Sequence, residues 1–333
     1  MSRNTVVIIG LICGAVGIAI GWGTPRLFSD DALSTSNSLT ELRAGGFKFI
    51  NPLLECQTES VGLRQELAVF RQTIQSEADR HKNKDVWHIS VYFRDLNNGP
   101  WFGLNEQEKF APASLLKVPV MLATFKEVEK TPGFLETKVR YVVDSISNIQ
   151  NIRTGDALLP GETYTVRQLM EQMIRNSDNG ALTTLSGALP ENAFERVMED
   201  FGMPLPTSTT ADFLGVHRYA GFFRILFNAS YLSRSASEDA LKILSESSYK
   251  DGLVAGVPAG ILVAHKFGER TLMVGNQMAG RQLHDCGIVY YPKRPYLLCV
   301  MTRGNDYGKL SAVIRDISAT TYREVGAQLS NKN

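Results

Sequence analysis

What most constrains this chain is the order in which its hydrophobic patterns change. β-Branched and aromatic residues crowd Trp87 to Phe93 and Trp101 to Leu104, with a turn over Asp95 to Gly99 between them. The same character returns near the other end, at Leu262 to Lys266, Cys286 to Tyr291 and Tyr296 to Thr302. Between these blocks lie an apolar run, Leu115 to Phe125, and the helical stripes of Thr165 to Met198. Leu310 to Val325 reads as a closing helix. Strands, helices, strands and a last helix make an α+β order with a mostly antiparallel sheet, not a βαβ repeat. Before the first strand, Leu63, Leu67, Phe70 and Ile74 recur at helical spacing, which predicts an amphipathic helix from about Glu59 to Arg80. The stripe is short for a coiled-coil seam.

Composition removes several function classes. The chain has 333 residues, 44% hydrophobic and 21% charged, enough to bury a core without a disulfide scaffold. Lys and Arg total 35 against 34 Asp and Glu, a net charge of +1, so no basic excess points to nucleic acid. No repeat marks a solenoid.

Thr5 to Gly23 carries no charge. As a helix it would be about 28 Å long, close to the thickness of a bilayer core. Arg3 precedes it and Trp22 sits where an interfacial aromatic would sit. Residues 1–28 are therefore expected to be a transmembrane signal anchor or a cleaved signal peptide. The anchor is favoured because no A-x-A cleavage site follows. Both readings place the remaining chain outside the cytoplasm. Asp30 to Ser38 is polar and serine-rich, so residues 29–58 are expected to be a tether and residues 59–333 the folded domain.

The four cysteines, Cys13, Cys56, Cys286 and Cys299, show no CxxC and no metal-ligand spacing. Cys286 and Cys299 are equidistant from the centre of a turn-like Pro292-Lys-Arg-Pro295. If the flanking runs pair as a hairpin, the two face each other, as a disulfide or as two buried thiols.

Three short motifs can carry chemistry. Ser114-Leu-Leu-Lys117 precedes an apolar helical run, and on a helix its serine and lysine share a face. The lysine can then take the serine proton if burial or cationic neighbours lower its pKa. The plainer role for Ser114 is a helix N-cap. Ser247-Ser-Tyr-Lys250 has the same spacing but polar surroundings, and reads as a solvated loop. Ser177-Asp178-Asn179 is either a capped turn or a second hydroxyl beside a substrate-holding amide. His265-Lys266-Phe267-Gly268 ends an apolar strand; its lysine either anchors a carboxylate or simply lies exposed at a strand end.

In this order the three motifs resemble the S-x-x-K, S-D-N and K-T-G signature of the class A β-lactamase and penicillin-binding protein superfamily of active-site serine hydrolases. The resemblance covers roughly Trp87 to Gln328 and includes Asn179-Gly180-Ala181 and the late Asp285 to Pro295 segment. It implies a five-stranded antiparallel sheet flanked by helices, with an all-helical lobe and the active site between them. It also implies that Ser114 is the nucleophile, Lys117 its base and Ser177 the proton relay. Asn179 would orient the substrate amide, and Lys266 would bind the substrate carboxylate beside Gly268. The backbone N–H groups of Ser114 and Glu269 would form the oxyanion hole. No metal or cofactor is implied, and the substrate would be a β-lactam or a peptidoglycan stem peptide.

Two positions depart from that pattern. Phe267 stands where the family has Thr or Ser, which puts a bulky ring at the expected pocket edge. Met203 to Gly215 holds Asp212 but no Glu-x-x-Leu-Asn, so the loop glutamate that activates the deacylating water is missing. The expectation is an enzyme that acylates readily and deacylates poorly. The alternatives are a D,D-peptidase-like enzyme and a non-catalytic cell-wall or β-lactam-binding module.

Overall fold

The computed structural model describes residues 37–43, 45–60, 64–97, 99–143, 151–152, 155–205 and 211–330. The segment expected to be an anchor or signal peptide lies outside these residues. Among them, no helix is long and apolar enough to cross a membrane.

The chain order is β1 (Asn37–Arg43), β2 (Leu53–Ser60), α1 (Arg64–His81), β3 (Val86–Asp95) and β4 (Trp101–Leu104). A helical middle follows: α2 (Lys117–Lys130), a small pair β5 (Lys138–Arg140) and β6 (Thr163–Thr165), α3 (Val166–Arg175), α4 (Asn179–Ala188), α5 (Ala193–Asp200), α6 (Val216–Asn228) and α7 (Arg234–Ser245). The chain then returns to β7 (Val263–Val274), β8 (Gln277–Val289), β9 (Tyr296–Gly304) and α8 (Tyr307–Ser330). The main sheet has five strands in the order β4-β3-β9-β8-β7, antiparallel at every pairing. It is the expected α+β architecture.

Strand alternation divides the interior in two. Val91, Phe93, Leu298 and Val300 face one way and pack with Phe70 and Ile74 of α1 and Val313, Ile314 and Ile317 of α8. Their neighbours Tyr92, Leu297, Cys299 and Met301 face the other way, into the helical lobe around Met121, Phe125, Met170 and Phe223. The α1 stripe expected from sequence is thus a packing face on the sheet.

Cys286 and Cys299 are direct partners across β8 and β9 and are joined by a disulfide. The symmetry of their spacing about the turn is what places them opposite each other.

Of the stretch expected to be a tether, residues 37–43 and 45–58 are described and are structured. β1 and β2 pair with each other, and Phe49 and Ile50 between them are buried in the helical-lobe core. The Glu238 carboxylate on α7 accepts the backbone N–H groups of Lys48, Phe49 and Ile50. Asn51 N donates to Phe227 O at 2.8 Å. Composition gave little sign of the docking, because the buried apolar pair is only two residues long.

Candidate active site

The turn that carries Ser114 is built by unusual backbone. A short 3-10 turn, Ala113–Leu116, leads into α2, and Ala113 has φ +49°, a left-handed conformation that is strained for a residue with a side chain. β8 pins this turn from below. Gln282 Oε1 accepts Ala111 N–H at 3.0 Å, and His284 Nε2–H donates to Ala111 O at 3.1 Å. Since Thr302 N–H donates to His284 Nδ1, the tautomer of this imidazole is fixed as neutral. Burial lowers its pKa to about 4, against the opposing pull of the backbone hydrogen bonds. Tyr219 OH donates to Leu115 O at 3.0 Å.

Ser114 is partly exposed, and its hydroxyl caps no helix: the N-cap position is Pro112, with no side-chain bond. Instead Lys117 Nζ lies 3.0 Å from Ser114 Oγ. The ammonium also reaches Ser177 Oγ at 3.1 Å, Asn179 Oδ1 at 2.7 Å and the carbonyl of Ser177. Burial pulls its pKa down from 10.5 to about 7, only partly offset by the negative charges of Asp178 and Glu269. A lysine poised there is a proton acceptor near neutral pH.

The second motif sits where α4 begins. Asp178 is its N-cap, accepting Ala181 N–H at 2.8 Å and Tyr141 OH at 2.9 Å. The plain capped-turn reading and the functional one therefore both hold, for different residues of the triplet. Capping fixes Asp178 and turns Ser177 and Asn179 toward Lys117, with Ser177 at φ +55°. Gly180 is required here because a Cβ would collide with the Tyr141 hydroxyl.

The third motif approaches along the free edge of β7. Lys266 Nζ donates to Ser177 Oγ at 2.9 Å and to Phe267 O at 2.8 Å. It is fully buried, and burial together with the Lys117 charge holds its pKa well below the usual lysine value. A Cβ at Gly268 would lie 2.8 Å from Pro112 O and 3.1 Å from Leu115 N, so only glycine lets β7 pack on the Ser114 turn. Glu269 follows directly. Its carboxylate is engaged elsewhere, by Asn151 N at 2.7 Å and Tyr307 OH at 2.8 Å.

Two expectations are corrected. Phe267 does not stand at a pocket edge: it is buried, stacked on Tyr249 with centroids 4.3 Å apart, in the core beneath α1 and α8. Strand alternation points its Cβ away from that of Lys266, yet the buried Lys266 ammonium sits over the ring, 4.1 Å from its centroid. Ser247 is not in a solvated loop but buried, while Lys250 is exposed, so the second S-x-x-K does not bring its ends together. Tyr249 within it is a core residue, which explains why a polar-looking stretch is packed. Asp212 is held by Arg303 Nη2 at 2.7 Å and Gln282 Nε2 at 2.9 Å, an anchored ion pair. The site also contains residues that sequence reading missed. His284, Gln282 and Tyr219 hold the Ser114 turn, and Arg270 shares the β7 face of Lys266 and Gly268 while remaining partly exposed.

The family model of the β-lactamase enzyme family matches residues 70–325. This chain belongs to that family. Solved structures share its fold at low identity. A β-lactamase from Chitinophaga pinensis is 19% identical, with a TM-score of 0.65 over 77% of this chain and 99% of that one. A class A β-lactamase representative from Bacteroides cellulosilyticus is 19% identical, with a TM-score of 0.64 over 78% and 99%. An acyl-enzyme complex of a PBP-A mutant with penicillin G is 21% identical, with a TM-score of 0.64 over 78% and 97%. No curated protein sequence matches the chain. Within the family, S-x-x-K and S-D-N stand here unchanged, and K-T-G becomes Lys266-Phe267-Gly268.

Proposed function

We propose that this β-lactamase-family chain is an extracytoplasmic serine hydrolase that opens a β-lactam, or the amide of a peptidoglycan stem peptide, through an acyl-enzyme on Ser114. The observation that carries this reading is the 3.0 Å contact between Ser114 Oγ and a buried Lys117 whose pKa is near 7.

Neutral Lys117 accepts the Ser114 proton as Oγ attacks the amide carbonyl. The backbone N–H groups of Ser114 and Glu269 receive the developing oxyanion. Ser177 Oγ, bonded by both lysines, hands a proton to the leaving nitrogen, and Lys117 resupplies it. In a β-lactam the leaving nitrogen stays tethered, so the whole molecule adds to the enzyme. Lys266 acts through Ser177 from its buried position, and the partly exposed Arg270 is the cation that receives the substrate carboxylate. Asn179 holds Lys117 and orients the substrate amide.

Hydrolysis of the ester is the slow half. The loop carries only Asp212, whose carboxylate is occupied by Arg303 and Gln282. General-base assistance is worth about 10²–10⁴-fold, so its loss leaves the acyl-enzyme long-lived. The binding-module reading drew on a bulky Phe267 at the pocket mouth; with that ring in the core, nothing favours it over catalysis. An oxidising compartment, reached through residues 1–28 as anchor or signal peptide, suits the Cys286–Cys299 disulfide.

The test is intact-protein mass spectrometry after mixing with penicillin G. The expected result is a single adduct of the full penicillin mass that persists for minutes. Ser114→Ala should abolish it and Ser247→Ala should leave it unchanged. Absence of any adduct, without penicillin consumption, would exclude the acyl-enzyme. A D-Ala-D-Ala peptide arm, read by release of the terminal alanine, separates peptidase from β-lactam specificity.

A further inference from the structure

Away from the serine site, one polar cluster interrupts the seam between α1 and α8. Glu77 and His81 stand one turn apart on α1, and Asp316 faces them from α8. His81 Nε2 lies 3.4 Å from Glu77 Oε1 and 3.3 Å from Asp316 Oδ2. One ligand atom from each residue lies within 4.8 Å of the other two. The remaining oxygens are occupied. Arg80 and Thr320 donate to Glu77 Oε2, and Arg315 donates to Asp316 Oδ1 at 2.8 Å. Each carboxylate thus turns one oxygen inward, toward the same imidazole nitrogen.

Hydrogen bonding accounts poorly for this convergence. An N–H shared between two oxygens bonds each of them weakly, and both separations exceed the usual N–H···O range of about 2.7–3.2 Å. Tetrahedral zinc accounts for it well. Nitrogen and oxygen ligands at about 2.0–2.1 Å from the metal stand about 3.3–3.4 Å from one another. The two edges at His81 have that length, and the third, from Glu77 to Asp316, lies within 4.8 Å and would close on the bound ion.

We propose that Glu77, His81 and Asp316 form a zinc site that fastens α1 to α8. One imidazole with two carboxylates suits Zn²⁺; magnesium and calcium take more oxygen ligands. The two inward carboxylates balance the dication, and the arginines on the outer oxygens restrict each to one ligand atom. Glu77 is buried, whereas His81 and Asp316 are partly exposed, which leaves a path for the ion and a fourth position for water. The site shares no residue with the Ser114 cluster and does not depend on the proposed acylation.

The experiment uses the full chain in detergent without a polyhistidine tag, stripped by a chelator and titrated with Zn²⁺ by calorimetry. The expected result is one equivalent bound, with Tm rising as zinc is added; at 100 times Kd the folded-to-unfolded ratio gains about 100-fold. Co²⁺ should give visible bands of four-coordinate geometry without the intense thiolate charge-transfer band that Cys13 or Cys56 would produce. His81→Ala and Asp316→Asn should each weaken zinc binding by roughly 10- to 100-fold or more while keeping the metal-free Tm. If His81→Ala does not fold, Asp316→Asn, which removes only a charge, gives the reading. No saturable uptake up to about 1 mM zinc, or uptake that both variants retain, overturns the proposal.

Discussion

Lys117 shows how one side chain acquires two roles. As an ammonium it is a donor that organises Ser114, Ser177 and Asn179; deprotonated, it would be the base for Ser114 in the proposed acylation. Burial moves the change between these forms to about pH 7. The neutral fraction rises with pH, so acylation should rise roughly 100-fold from pH 5 to pH 9, half-maximal near that pKa. Stopped-flow acylation with a fluorescent penicillin measures the profile, and a profile flat across this range would remove Lys117 as the base. Arg270 makes a second residue-scale prediction. Arg270→Ala should weaken capture of a penicillin by roughly 10- to 100-fold, the worth of a charge-assisted contact, read as KM for acylation. A penicillin methyl ester, which has no carboxylate, should bind the variant and the parent alike; equal losses for both would mean that Arg270 serves the fold and not the substrate.

At the scale of elements, the segment between β1 and β2 is the part least evident from composition. It is fastened by three backbone N–H bonds to Glu238, a bond from Tyr290 OH to Phe49 O at 2.8 Å, and burial of Phe49 and Ile50. Removing residues 1–28 should therefore leave the unfolding midpoint unchanged. Removing residues 1–51 should cost roughly 3–6 kcal/mol, the burial of two large apolar side chains. Urea unfolding of the two truncations measures the difference, and equal stability would show that this segment docks without contributing.

For the whole molecule, His284 ties acid stability to the geometry of the active site. It is buried neutral in the middle of the sheet, with a pKa of about 4 against 6.5 for a free imidazole. Between those values the unfolded chain binds a proton that the folded one does not. Its contribution to stability is therefore complete above pH 6.5 and is lost as pH falls to about 4, with no further change below. The loss amounts to about 3 kcal/mol. Because the same imidazole holds Ala111, protonation should also loosen the Ser114 turn. Urea midpoints across this pH range should slope downward in the parent chain and flatten in His284→Gln, whose amide can still donate to Ala111; identical slopes would assign the acid lability elsewhere.

The sequence by itself determined the α+β order, because strand and helix periodicities are local properties of side-chain alternation. It also determined the Cys286–Cys299 pairing position, since hairpin register follows from spacing about a turn. The three motifs identified Ser114, Lys117, Ser177, Asn179 and Lys266, and these residues do meet. Tertiary structure decided which residues surround them. Whether Phe267 faces a pocket or a core depends on what covers that side of β7, which is Tyr249, and no local pattern states that. The fate of Ser247 followed from Tyr249, which packs against Phe267 on the strand that follows. His284, Gln282 and Tyr219 gained their roles from hydrogen bonds to backbone atoms of the Ser114 turn, 173, 171 and 104 positions away. A backbone carbonyl or amide looks the same at every position of a sequence, so only the folded chain reveals which ones need holding.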